Sequence, residues 1–476
     1  MSTRTDLPDP PRSAGYDPKD GEHLEGSLGV PSIVFMVVAA AAPLTVIGGN
    51  VALTVGSGNG IGAPAGFLIA SVVLLLFSIG FVAMTPHIKE SGAYYAYIRE
   101  SFGQHAGVGA AFLAFVTYTA IEIGIYGFLG GSVAGFVESF GGPVIAWWLY
   151  ALVAWFLVLV LGVFSIDFSS KVLGVLMVCE IGIVLILDAA ILARGGAEGL
   201  TGQSFLPGNV LEPTLGVAVL FALTGFIGFE ATAVFRDEAK NPDRTIPRAT
   251  YVAVVIIGVF YTVSSWLLVE AWGPANAVQA AVNDPNNFML GAMETYAGLT
   301  ARHIMDVFLL TSLLACVLSL HNIATRYQFT LAGEGYLPRV FHRVHPRFGS
   351  PYASSLGQSV VVLVVIIGFS LFDVDPLVNV FGSMAGVATI GFVLLLIFTS
   401  ASAVLFFSRN KRLCTSTLRM QVIPFLAALL LIGCLVLVLI NFPLVTSAPW
   451  SLSIVLALVP VLSFAGGYAL STRRRG

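Results

Sequence analysis

The chain has 476 residues, of which 57% are hydrophobic and 10% are charged, whereas soluble domains carry roughly a quarter charged residues. Water is therefore not its main solvent, and a formal net charge of −3 offers no basic surface for nucleic acid. Cys179, Cys316, Cys414 and Cys434 are too scattered for a disulfide framework, and His342 with His345 sits in a basic, solvated loop, so neither a metal site nor a cofactor is expected.

Residues 1–27 are rich in Pro, Asp and Arg without an apolar stretch before a cleavage site. They read as a cytoplasmic tail and not as a signal peptide. Beyond them, apolar runs of bilayer-spanning length predict twelve transmembrane helices near 31–55, 64–85, 106–136, 143–164, 168–194, 213–235, 248–271, 303–330, 353–371, 377–407, 420–441 and 449–471. With both termini cytoplasmic, all of the 23 lysines and arginines except Arg194 and Arg302 fall on the inside, as positive-inside insertion requires. The expected organisation is a transport core over 28–407, a cytoplasmic loop at 408–419, two further helices over 420–471 and a basic tail at 472–476.

In the first span, Ala41-Ala42-Pro43-Leu44-Thr45-Val46-Ile47-Gly48-Gly49-Asn50 places a proline and a glycine pair at mid-membrane. In the sixth, Leu223-Thr224-Gly225-Phe226-Ile227-Gly228-Phe229-Glu230 places two glycines and a carboxylate there. Proline removes a ladder donor and clashes with the preceding turn, and a mid-helix glycine costs about 1 kcal/mol relative to alanine. Both helices are expected to unwind. Irregular backbone at membrane depth survives only where protein or a water-filled cavity satisfies it, so each break is expected to form a polar pocket flanked by half-helix ends. The positive end suits an anionic group and the unwound carbonyls suit a cation. Gly127, Gly131 and Gly135 recur every four residues on the third span, a spacing that favours a close helix contact.

Three carboxylates fall near the centre or inner third of spans: Glu122 in the third, Glu180 in the fifth and Glu230 after the sixth-helix break. An ionisable group there costs about 2.5–3.5 kcal/mol on insertion scales, and no lysine or arginine lies at matching depth. A carboxyl that loads and unloads a proton as a cavity opens to each side in turn is a coupling device, with Glu180 the leading candidate and Glu230 the second. Asp188 and Asp306 are expected near the outer surface and Asp167 at the inner one. Tyr118 on the third span, with Phe221, Phe226 and Phe229 around the sixth-helix break, could wall a solute.

Gly228-Phe229-Glu230 followed by Lys240-Asn241-Pro242, Arg244 and Pro247 resembles the sixth helix and inner turn of the amino acid–polyamine–organocation permeases. Ser91-Gly92-Ala93-Tyr94-Tyr95-Ala96-Tyr97, the pair Phe112 and Tyr118, and Arg326, Gly333, Glu334, Gly335, Leu337 and Pro338 resemble further motifs of that family. The resemblance covers roughly 28–407. It implies an all-α integral membrane fold of twelve transmembrane helices: a five-plus-five, leucine-transporter-like inverted repeat plus two C-terminal helices, working by alternating access. It also implies substrate contacts at Ala42, Leu44, Thr45, Phe226 and Glu230, and together with the breaks, aromatic residues and carboxylates read above the expected substrate site is Ala42, Pro43, Leu44, Thr45, Tyr118, Glu122, Phe221, Thr224, Gly225, Phe226, Gly228 and Glu230.

Two departures bear on substrate and coupling. Many members carry Gly-Ser/Thr-Gly where this chain has Pro43-Leu44-Thr45, and proline offers no N–H to a carboxylate. A similar run resembles the branch that includes putrescine importers. Glu180 falls where some proton-coupled members have a lysine. The expected activity is proton-coupled symport of a neutral amino acid, with a polyamine importer or an amino acid–amine exchanger of the same fold as the alternative. The partners are then a small amine-bearing solute, protons and the lipid bilayer. A channel would show a continuous polar face, and an enzyme a nucleophile–base pair or metal ligands within the spans; neither pattern is present.

Overall fold

The computed structural model describes residues 28–88, 93–164, 170–234 and 239–473. Among these, the chain is helical, and the one extended pairing joins Leu28 to Ala239. Asp167, Ser91, Gly92 and the N-terminal tail lie outside the described residues.

Ten helical runs among the described residues are long and apolar enough to cross a bilayer. In chain order the helices that position the site are α1 (Val30–Ala40), α2 (Val51–Ser57, reached through Pro43–Thr45 and a π-helical stretch Val46–Asn50), α3 (Ala63–Met84), α4 (Ala93–Phe102) and α5 (Gln104–Ser139). They continue as α6 (Trp147–Val163), α7 (Ser170–Arg194), α8 (Leu215–Thr224), α9 (Ala231–Val234) and α10 (Pro242–Trp272). After two short helices, α11 (Ala277–Asn283) and α12 (Phe288–Ala297), come α13 (Leu299–Gly333), α14 (Tyr352–Ser370), α15 (Gly382–Arg409), α16 (Ile423–Thr446) and α17 (Trp450–Arg473).

Two of the twelve expected spans are shorter than the sequence pattern suggests. The fourth, α6, has 17 residues, about 26 Å at 1.5 Å per residue, because Gly141 and Gly142 hold the chain in a turn after α5. The sixth is divided into α8 and α9 by its glycines.

Proline sets several starts. Pro64 and Pro242 stand in the first turns of α3 and α10, where a missing N–H costs nothing and the fixed φ favours the helix. α5 is the central post, packed by α4, α6, α13, α15 and α17. The four-residue glycine repeat serves this packing at two of its three positions. A Cβ at Gly127 would lie 2.7 Å from Val380, and one at Gly131 would lie 2.7 Å from Pro376, while Gly135 faces open space. α14, α16 and α17 carry exposed apolar side chains such as Val364, Ile440 and Leu462, the surface that lipid would cover.

Contacts between connecting segments agree with the alternation of crossings. Lys240 N–H donates to Leu28 O at 2.8 Å, Arg99 meets Glu334 at 3.3 Å and Arg409 donates to Ser101 O at 2.9 Å, all between segments expected inside. Thr214 donates to Gly58 O at 3.0 Å, Ala197 N–H to Glu270 O at 2.9 Å and Arg194 to Thr295 O at 2.8 Å, all between segments expected outside.

Candidate functional site

The first break is built by a left-handed alanine and a proline. α1 closes with Ala41 and Ala42 donating backward to Val37 O and Ala39 O, each at 3.1 Å, and Ala42 then adopts φ 44°, ψ 66°. An L-residue in that region carries a penalty of about 1–2 kcal/mol, so the surrounding packing must hold it; every residue from Ala41 to Asn50 is buried. Pro43 opens the second half-helix. Leu44 and Thr45 follow in its first turn, where backbone N–H groups have no carbonyl inside the helix to meet and the dipole favours an anion. The π-helical stretch that follows contains Gly48 and Gly49, beside Leu309, Met289 and Phe128; a Cβ on Gly49 would come within 2.6 Å of the Phe128 ring.

The second break is made by glycine. After Thr224 the backbone passes through a series of tight turns, with Phe226 N–H donating to Leu223 O at 3.0 Å and Ile227 N–H to Thr224 O at 3.1 Å. Gly228 takes φ 105°, a conformation closed to most L side chains, and α9 begins at Ala231.

The two breaks face each other. The Tyr261 hydroxyl of α10 is shared between Ala41 O at 3.0 Å and Gly225 O at 3.3 Å, one carbonyl from each break. A Cβ on Gly225 would lie 2.9 Å from Val46, and one on Gly228 would lie 3.4 Å from Ala40 O. Phe226 packs edge-on against Tyr261 at 5.7 Å.

Glu230 lies at this junction, 3% exposed. The Tyr118 hydroxyl of α5 donates to its Oε1, and Gly228 N–H donates to its Oε2 at 2.9 Å. Tyr94 of α4, fully buried, also faces this carboxylate, and Tyr327 of α13 stacks on Tyr118 at 5.7 Å.

Glu180 of α7 reaches the first break through a hydroxyl relay. Ser312 of α13 donates to Glu180 Oε2 at 2.8 Å and accepts from the Thr45 hydroxyl at 3.3 Å. The structure thus gathers Ala42, Pro43, Leu44, Thr45, Tyr118, Gly225, Phe226, Gly228 and Glu230 around one junction, with Glu180 one serine away.

Other expected site residues turn elsewhere. Phe221 offers its carbonyl to Asn50 Nδ2 at 2.8 Å, and the Thr224 hydroxyl pairs with Thr389 of α15. Glu122 is engaged by His321 and Gln358, on α13 and α14. Among the described residues no lysine or arginine pairs with Glu122, Glu180 or Glu230, yet each is hydrogen-bonded: to His321 and Gln358, to Ser312, and to Tyr118. Asp188 and Asp306, expected near the outer surface, are buried, with α12 packed against α7 and α13. Ser312, Tyr261, Tyr327 and His321 carry no motif of their own. Tyr94 stands in the tyrosine-rich run after the second span, and that run was its signal.

The amino acid permease family profile matches residues 32–466. The chain belongs to the amino acid permease family. Among its relatives, a "Probable GABA permease" of Pseudomonas aeruginosa is 27% identical over 313 residues, 60% of this chain and 62% of the relative. A "Probable amino-acid permease" of Schizosaccharomyces pombe is 28% identical over 343 residues, 64% of this chain and 56% of the relative. A "Gamma-aminobutyric acid permease" of Bacillus subtilis is 24% identical over 362 residues, 70% of this chain and 72% of the relative. The chain therefore aligns with less than two thirds of the length of the first two. These relatives are named as permeases and not as enzymes, and this member of the family carries its two helix breaks within the matched region.

Proposed function

We propose that this permease carries an amino acid across the cytoplasmic membrane by alternating access, coupled to protons, through twelve crossings arranged as a five-plus-five inverted repeat and two added helices. The observation that carries the reading is the meeting of the two breaks. Tyr261 bonds a carbonyl from each, Gly228 lies against Ala40 and its N–H holds the Glu230 carboxylate, and the first-turn amides of Leu44 and Thr45 follow Pro43 in the first break. A solute with an anionic and a cationic end finds the matching partial charges there: half-helix N–H groups for one end, unwound carbonyls and Glu230 for the other. A rocking of one part of the bundle against the rest would need to change few backbone bonds, because the breaks already interrupt the ladders.

Glu180 is the proposed coupling group. It is 6% exposed, and its hydrogen bond to Ser312 continues to Thr45, next to the proposed anion subsite. Loss or gain of its proton would alter the acceptor on which Ser312, and through it Thr45, depends. Solute binding and proton binding then share one chain of hydroxyls. Membrane orientation with both termini inside is supported by the segregation of lysine and arginine.

A second reading, an amine importer or an amino acid–amine exchanger, is favoured by Pro43, which withholds one N–H from the anion subsite. Two relatives are named as γ-aminobutyrate permeases, a solute whose charged ends are further apart than in an α-amino acid. The experiment is a stability screen of purified protein against α-amino acids, ω-amino acids and polyamines. A true ligand raises Tm by mass action, worth about 2.7 kcal/mol at a hundredfold excess over Kd. Stabilisation by zwitterions and not by polyamines supports the first reading, and the reverse supports the second. No shift with any of these classes contradicts both.

A further inference from the structure

The proposed cycle leaves unused a polar knot buried among α5, α6, α13 and α14. Glu122 is 0% exposed and His321 is 1% exposed. His321 Nδ1 lies 2.9 Å from Glu122 Oε1, and His321 Nε2 lies 3.0 Å from the Ser355 hydroxyl. Gln358 donates to Glu122 Oε2 at 2.7 Å and meets the Thr119 hydroxyl at 3.1 Å. Gly162 of α6 seals the knot: a Cβ there would lie 2.8 Å from Ser355 Oγ and 3.1 Å from the imidazole. Tyr126, one turn along α5, is the further titratable group that faces it.

We propose that Glu122 and His321 form a resident proton site, a pair that shares one exchangeable proton throughout the cycle and fixes α5 against α13 and α14. Charge supports this assignment. With one shared proton the pair is neutral, whether written as imidazolium and carboxylate or as imidazole and carboxylic acid. Without it a net negative charge is left among apolar helices, and with a second proton a net positive one; an uncompensated buried charge is strongly destabilising. Geometry supports it as well, since both imidazole nitrogens and both carboxylate oxygens have partners, so the knot has no open position for a solute. It also separates roles on α5. Tyr118, one turn from Glu122, contacts Glu230 at the breaks, whereas Glu122 ties the same helix to α13 and α14.

The test reads Tm against pH for purified wild type, Glu122→Gln, His321→Gln and the double variant, and does not depend on transport. In His321→Gln the carboxyl stands without its base, so over a range from about pH 5.5 to about pH 8.5 the Tm difference from wild type is expected to widen as pH rises to about 6.5 and to hold above it, where wild type also keeps a proton that its unfolded chain has lost, by a few °C in all. In Glu122→Gln the imidazole stands without its counter-charge, so the difference widens as pH falls over the same range. The double variant carries neither titrating group, so it should show neither single variant's slope, nor the wild type's decline above about pH 6.5, where the unfolded chain releases the proton that the folded pair keeps. Opposite slopes in the single variants, both absent from the double variant, support a shared proton. Equal losses in both single variants at every pH indicate packing alone and overturn it. If His321→Gln cannot be purified, the Glu122→Gln series decides: a deficit that grows toward acid supports the site, and one independent of pH overturns it.

Discussion

The two helix breaks reach the same end by opposite chemistry. The first uses Pro43 and a left-handed alanine, bears no ionisable side chain and is buried along its whole length. The second uses Gly225 and Gly228, turns through successive short-range hydrogen bonds and ends on a carboxylate. A proline-built break is stiff because the ring fixes φ at Pro43 and narrows the choices of the residue before it, and it presents backbone groups as fixed partial charges. A glycine-built break has the larger conformational repertoire and carries the charge. In the proposed site the first break would then be the fixed subsite and the second the adaptable one.

The strongest way to break this comparison is at Gly228. A leucine there would have to adopt φ 105°, a region open to glycine and not to branched side chains. Gly228→Leu is therefore expected to abolish ligand-induced stabilisation, with Gly225→Leu following it because its side chain would strike Val46. Normal affinity in both variants would remove the second break from the site.

Next in size is Glu180→Gln. Accumulation driven by a pH gradient should be lost while counterflow exchange in liposomes remains measurable, because the solute subsites are intact and only the proton carrier is gone. Undiminished concentrative uptake would take coupling away from Glu180.

Tyr118→Phe removes one hydrogen bond to Glu230 and keeps the ring stack with Tyr327. A bond to a charged acceptor contributes about 1.5–3 kcal/mol, so a loss of affinity of about tenfold to a hundredfold is expected by calorimetry, and an unchanged Kd would contradict a role for the Tyr118–Glu230 contact in the site.

The smallest effect is expected at Ala42→Gly. Glycine relieves the left-handed alanine without touching the proline, so Tm should hold steady or rise by a few degrees with affinity nearly unchanged. A large loss of affinity would mean that the Ala42 methyl touches the solute and that the first break is more than backbone.

Much of this arrangement is legible in the residues. Proline and glycine at mid-span mark both breaks because no other residue types interrupt a membrane helix so reliably, and Gly228-Phe229-Glu230 marks the second one a second time. What pairs with the carboxylates is less legible. Ser312 and Tyr261 lie more than 30 positions from the groups they bond, and a serine or tyrosine in an apolar run carries no periodic signal. His321 carries no comparable signal, because a lysine or arginine at depth stands out by its charge, whereas imidazole can sit neutral in the membrane and still partner a carboxylate. Glu122 lies at a depth that suits the solute site. Depth fixes the layer a residue occupies but not the direction in which it points, and here it points toward α13 and α14.

In the proposed cycle solute binds at the meeting of the two breaks and a proton moves with it. This coupled movement is tested most directly by reconstituting the protein in liposomes, imposing an acid-outside gradient and following the labelled ligand that gives the largest stability shift. The account predicts accumulation above the external concentration that collapses on adding a protonophore and is absent in Gly228→Leu. Uptake that ignores the gradient, or that survives unchanged in Gly228→Leu, would contradict it.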